Sequence, residues 1–63
     1  MKIEIGGIYK LKLAMGRVMV LRRGYEMVNE IQGSPRPVEV YLVRRGTSFN
    51  KIWVHPFELE EDV

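Results

Sequence analysis

Short alternating runs of apolar and polar residues dominate the chain, and glycine or proline breaks them at short intervals. Tyr9, Leu11 and Leu13 alternate with Lys10 and Lys12, which predicts a strand over 8–13 with one apolar and one cationic face. After an Ala14-Met15-Gly16 turn, Val18 and Val20 alternate with Met19 and Leu21, giving a second strand over 17–22. Arg23-Gly24 reads as a further turn, with glycine supplying a positive φ. A less regular third strand follows over 25–31. The segment Gln32-Gly33-Ser34-Pro35-Arg36-Pro37 reads as a loop, because proline cannot donate to a strand ladder.

The strongest strand signal is residues 38–44, with Val38, Val40 and Leu42 on one face and Glu39, Tyr41 and Val43 on the other. A last strand is expected over 51–55, with Ile52 and Val54 inward and Trp53 and His55 outward. Pro56 to Leu59 reads as one helical turn, and the residues beyond it as a frayed end. No stretch shows a sustained helical apolar period. The expectation is an all-β, five-stranded small barrel with a short helical turn before the C-terminus. Its core would hold Leu11, Val18, Val20, Val40, Leu42, Ile52, Val54 and Leu59.

The sequence numbers 63 residues, enough for one domain. A domain of this size buries only roughly 60% of the surface its unfolded chain exposes, so its stability margin is thin. There is no cysteine and one histidine, His55, so disulfides are excluded and a zinc site would have to rest on carboxylates. No cofactor is indicated. No run approaches the length of a membrane span, and the cysteine-free composition fits a reducing, cytoplasmic setting.

The net charge of +2 conceals an asymmetry. Residues 1–57 carry ten basic and four acidic side chains, a net of +6, while Glu58, Glu60, Glu61 and Asp62 make the end acidic. One reading is an ordinary surface with a solubilising tail over about 60–63. The other is a basic surface for an anion, with the tail lying elsewhere or competing for it.

The hydroxyl candidates Ser34, Thr47 and Ser48 fall in predicted loops, and the lone aspartate, Asp62, lies in the tail. An ordered nucleophile-base-acid arrangement is not supported, nor is a phosphate-binding glycine motif. The expectation is binding, not catalysis.

An apolar-Arg-Arg-Gly pattern occurs twice, at Leu21-Arg22-Arg23-Gly24 and Val43-Arg44-Arg45-Gly46. If both copies are hairpin tips, they belong to alternate hairpins of a meander. Arg22, Arg23, Arg44 and Arg45 then gather at one end of the barrel, near Lys51. Tyr41, Trp53 and His55 would share the outer face beside them. A one-residue slip in register would instead bury Trp53.

The entry Gly6-Gly7-Ile8-Tyr9-Lys10-Leu11 and the closing Lys51-Ile52-Trp53-Val54-His55-Pro56-Phe57-Glu58-Leu59 resemble the first and last strands of SH3-like barrels, the group that includes Tudor and KOW domains. The stretch Ile52-Trp53-Val54-His55-Pro56 is also similar to the active strand of plasmid-type dihydrofolate reductases. That family has glutamine and tyrosine where Trp53 and His55 stand here, so the likeness implies a strand that lines a site, not the activity.

Arginines for phosphate and exposed aromatics for stacking point to nucleic acid as partner. The alternative is a protein-interaction module that takes a partner or self-associates as a homo-oligomer. Stand-alone domains this small also look like phage or mobile-element regulators.

Overall fold

The computed structural model of the chain describes residues 1–14, 16–29, 33–46 and 49–62. Five strands are present: β1 (Ile8–Leu11), β2 (Arg17–Val28), β3 (Arg36–Arg45), β4 (Lys51–Val54) and β5 (Leu59–Glu61). A 3-10 turn, Pro56–Glu58, lies between β4 and β5. All pairings are antiparallel, in the order β4-β3-β2-β1-β5.

That order corrects the barrel expectation. Closure requires the outermost strands to exchange hydrogen bonds, which removes every edge. Here β4 and β5 are the two edges of an open sheet and do not pair with each other. A groove of about 400 Å³, lined by Leu11, Leu13, Ile52, Val54 and Phe57 among others, separates β4 from the end of β1. The all-β character and the helical turn near the C-terminus hold. The SH3-like closure does not, and the resemblance to Tudor and KOW barrels fails with it.

The strand boundaries differ for a second reason. No turn occurs at Arg23-Gly24: β2 runs for 12 residues through it, and Gly24 is not among the positive-φ glycines. A ten-residue β3 offers partners along that whole length, from Val18↔Arg45 to Val28↔Arg36. The ladder therefore continues where a lone glycine suggested a break. The expected third strand is the far end of β2, although Ile31 lies outside the described residues. Met15 of the first turn, Gln32 of the first loop, and Thr47 and Ser48 also lie outside them. Arg36 and Pro37, expected in a loop, already belong to β3. The tail, expected to fray, supplies β5, with Glu60 opposite Lys10 and Glu61 opposite Tyr9.

One irregularity sets the core. The β2–β3 register shifts between Val20 and Arg22, so Leu21 is the extra residue of a bulge. Val20 faces Val43, and past the bulge Arg23 faces Tyr41. Even-numbered side chains before the bulge and odd-numbered ones after it thus share a face. The core collects Ile3, Tyr9, Val18, Val20, Tyr41, Val43, Val54 and Leu59, with Leu11 packed against it.

The expected face of β3 is therefore reversed. Tyr41 and Val43 are core residues, Leu42 is only half-buried on the opposite face, and Ile52 is 49% exposed. Val40 is buried, but outside the main cluster. Because β3 is apolar on both faces, alternation alone could not choose between them.

The N-terminal residues strap the core from outside. Tyr9 donates its hydroxyl to the Lys2 carbonyl at 3.3 Å and accepts from the Glu4 amide at 2.9 Å. Gly6 donates to the Val20 carbonyl and Val20 to the Gly7 carbonyl. A Cβ on Gly7 would stand 2.7 Å from the Tyr9 ring, so this close approach requires glycine.

Candidate nucleic-acid interface

The face of β2, β3 and β4 opposite the core is built by register. Met19, Arg44 and Lys51 form one cross-strand row, since Arg44 pairs with both neighbours. Arg22, Leu42 and Trp53 form the next row. Gly24 and Val40 follow, then Glu26 and Val38. Side chains in a row lie about 5 Å apart along the hydrogen-bonding direction, and rows on one face are separated by about 7 Å. Arg22, Arg44 and Lys51 therefore surround the half-exposed Trp53 and Leu42.

Trp53 leans across β3 onto Gly24. A Cβ there would meet its six-membered ring at 2.8 and 2.9 Å. The indole covers Val40, which accounts for that residue's burial away from the main core. Trp53 keeps 51% of its surface in solvent, so it presents an open platform, as the outward placement of the last strand anticipated.

His55 follows β4, and its Nε2 stands 3.4 Å from a carboxylate oxygen of Glu26. Its ring stacks on Phe57, with centroids 5.3 Å apart. Its amide donates to the Glu58 carboxylate at 2.6 Å, and Glu58 donates its own amide to the His55 carbonyl. This fixes the 3-10 turn and with it the imidazole. Glu26, Val40, Trp53 and His55 enclose a recess of about 410 Å³, with Tyr25 at its border.

Charge is distributed unevenly around this face. Among the described residues, Arg22, Arg44 and Lys51 have no acidic partner. The Nε of Arg44 is buried with no hydrogen-bond partner. Of the acidic end, Glu58 is held by the His55 amide and Asp62 is spent at the far edge, where it bridges Arg17 at 2.7 Å and Lys10 at 3.7 Å. β1, β2 and β3 lie between β5 and β4, so the tail does not cover the basic face.

The structure divides the expected site residues. It brings Arg22, Arg44, Lys51, Trp53 and His55 to one face. Alternation sends Arg23 and Arg45 to the other, because each arginine pair is in-strand and not at a hairpin tip. Arg23 pairs with Glu39 at 3.1 Å and lies 5.7 Å from the Tyr41 ring centre. The Tyr41 hydroxyl and then Glu39 raise the Arg23 pKa. Tyr41, expected as an exposed stacking surface, is 3% exposed and cannot stack on a ligand. Burial pushes its phenol above the ordinary value, and a hydrogen bond to Glu39 adds to this, while Arg23 pulls it down.

Gly24, Glu26, Val40 and Leu42 belong to this surface, although the sequence pattern puts Gly24 in a turn and Val40 and Leu42 in the core. The available signal was Gly24, since a glycine inside a strand pattern marks a bulge or a close approach.

No family model, curated protein or solved structure matches the chain. Among the described residues no helix is long and apolar enough to cross a membrane.

Proposed function

We propose that this chain is a non-catalytic module that binds single-stranded nucleic acid across the β2–β3–β4 face. The observation that carries the reading is Trp53, half in solvent, with Arg22, Arg44 and Lys51 around it and no acid among the described residues paired to them. Guanidinium and ammonium groups take phosphates, and an open indole stacks on any base. The only histidine in the sequence faces the Glu26 carboxylate. A cytoplasmic setting belongs to the same reading and rests on the cysteine-free composition.

The test is a salt titration of binding to mixed-sequence oligonucleotides. Wild type should show a steep fall of log affinity with log salt. Replacing Arg44 and Lys51 by Ala should flatten that slope by about one to two units. An unchanged slope, or no binding at low salt, overturns the reading. The second reading is a protein-interaction module, supported by the apolar groove beside β4, where Leu13 is 98% and Phe57 70% exposed.

A further inference from the structure

We infer that the recess beside Trp53 is a base-selective subsite whose preferred occupant is guanine. This rests on the nucleic-acid reading above and names what that face would select. A base stacked on the open side of Trp53 would turn one edge toward Glu26 and His55, which share the recess with the indole and with Val40 beneath it. The volume, about 410 Å³, falls in the range of small-molecule sites.

The chemistry of that edge makes the choice. A carboxylate only accepts hydrogen bonds. Glu26 directs one oxygen at His55 Nε2 and retains acceptor capacity toward the recess. Guanine alone offers two adjacent donors on its pairing edge, N1–H and the 2-amino group, which match the two oxygens of one carboxylate. Cytosine and adenine offer one amino group beside a ring nitrogen whose lone pair repels the carboxylate. Uracil offers a single N–H flanked by two carbonyl oxygens, the poorest match.

The electrostatics support the same assignment. A carboxylate on a face that binds phosphates opposes the backbone's negative charge, so its presence there weakens non-specific binding. It is useful where it meets a donor on the ligand. A small cation could also fill an aromatic recess with an acid. Arg22, Arg44 and Lys51 share the face and would repel it, whereas they attract a neutral base carried on an anionic backbone.

The experiment uses the full chain and a short uridine RNA whose central base is varied, followed by anisotropy and by quenching of Trp53. Central guanine should bind about tenfold more tightly than uridine, the size of one good carboxylate–base match. Glu26→Gln should reduce that preference to less than about twofold while leaving the salt slope unchanged. Glu26 is 58% exposed, and an unaltered circular dichroism spectrum would show that the variant folds. Equal binding of all four RNAs with a steep salt slope would overturn the guanine subsite and leave the broader reading standing. So would a Glu26→Gln variant that gains affinity equally for every base. Displacement of the RNA by millimolar tetramethylammonium, with sodium at the same ionic strength inert, would assign the recess to a cation and overturn the inference. No binding to any RNA at low salt would overturn both readings.

Discussion

Gly24 and Trp53, on strands that are not neighbours in the sheet, are in contact across β3: a Cβ on Gly24 would stand 2.8 Å from the indole. That distance is inside any tolerable carbon–carbon approach, so the ring keeps its position only because residue 24 has no side chain. Gly24→Ala should therefore lift Trp53 off Val40. Strand propensity gained at residue 24, about 0.5–1 kcal/mol, should roughly offset the lost packing, leaving stability near wild type. Acrylamide quenching of Trp53 should rise and oligonucleotide affinity should fall. Unchanged quenching would mean that the indole does not rest on Gly24.

The reversed face of β3 makes a paired test of the core. Val43 is fully buried opposite Val20, whereas Ile52 on the neighbouring strand is 49% exposed. Val43→Ala should cost about 2 kcal/mol from lost burial and the cavity left behind. Ile52→Ala should cost less than about 1 kcal/mol, although it removes more carbon. Val43 and Ile52 pair on one face, so urea denaturation of both variants tests whether that face is closed over β3 and open at the β4 edge; the opposite ranking would put Ile52, not Val43, at the centre of the core.

Tyr41 gives the protein an alkaline limit. Its phenol is held above the ordinary value of 10.0 chiefly by burial. Below that value folded and unfolded chains are protonated alike. Above it the unfolded chain gives up the proton first, so stability falls as pH rises toward the folded value. Urea midpoints measured from pH 9 to pH 11.5 should show this decline, and Tyr41→Phe should lessen it. A parallel decline in the variant would place the cause elsewhere.

Asp62 tests the separation of charges. Its partners Arg17 and Lys10 are 68% and 42% exposed, so Asp62→Asn should cost less than about 1 kcal/mol. Because β5 lies at the opposite edge from β4, oligonucleotide affinity at moderate salt should change less than twofold. A large gain would show that the acidic end competes for the basic face.

Much of the strand content was legible in the residues. The alternation over 8–13 and 51–55 marks real strands that stop earlier, at Leu11 and Val54, that over 17–22 and 38–44 marks parts of longer ones, and a helical turn does begin at Pro56. What could not be read was how the strands connect and which way they face. Gly24 reads as a turn because local chemistry gives no hint that a distant indole needs the space. Glu60 and Glu61 form a strand only because β1 offers them a free edge and a lysine opposite. β3 is apolar on both sides, so its orientation is fixed by Val20 and Val54 on its neighbours, not by its own pattern. Trp53 and the basic residues near it were legible as candidates, whereas Glu26 and Gly24 become part of the site only through the register of β2.

The bulge at Leu21 has a consequence for how variation in this chain should be read. Arg22 and Arg23 are adjacent in sequence yet belong to opposite surfaces, one beside Trp53 and the other against Tyr41 and Glu39. Interchanging a residue between these positions is thus a move through the thickness of the sheet. Deleting Leu21 would remove the extra residue and leave a regular ladder, with Val20 still opposite Val43, Arg22 opposite Leu42 and Arg23 opposite Tyr41, so every face beyond it would be kept. A single-codon deletion there would merely straighten the strand, whereas the same deletion at Tyr25 would act as a structural frameshift, exchanging the inside and outside of the rest of β2.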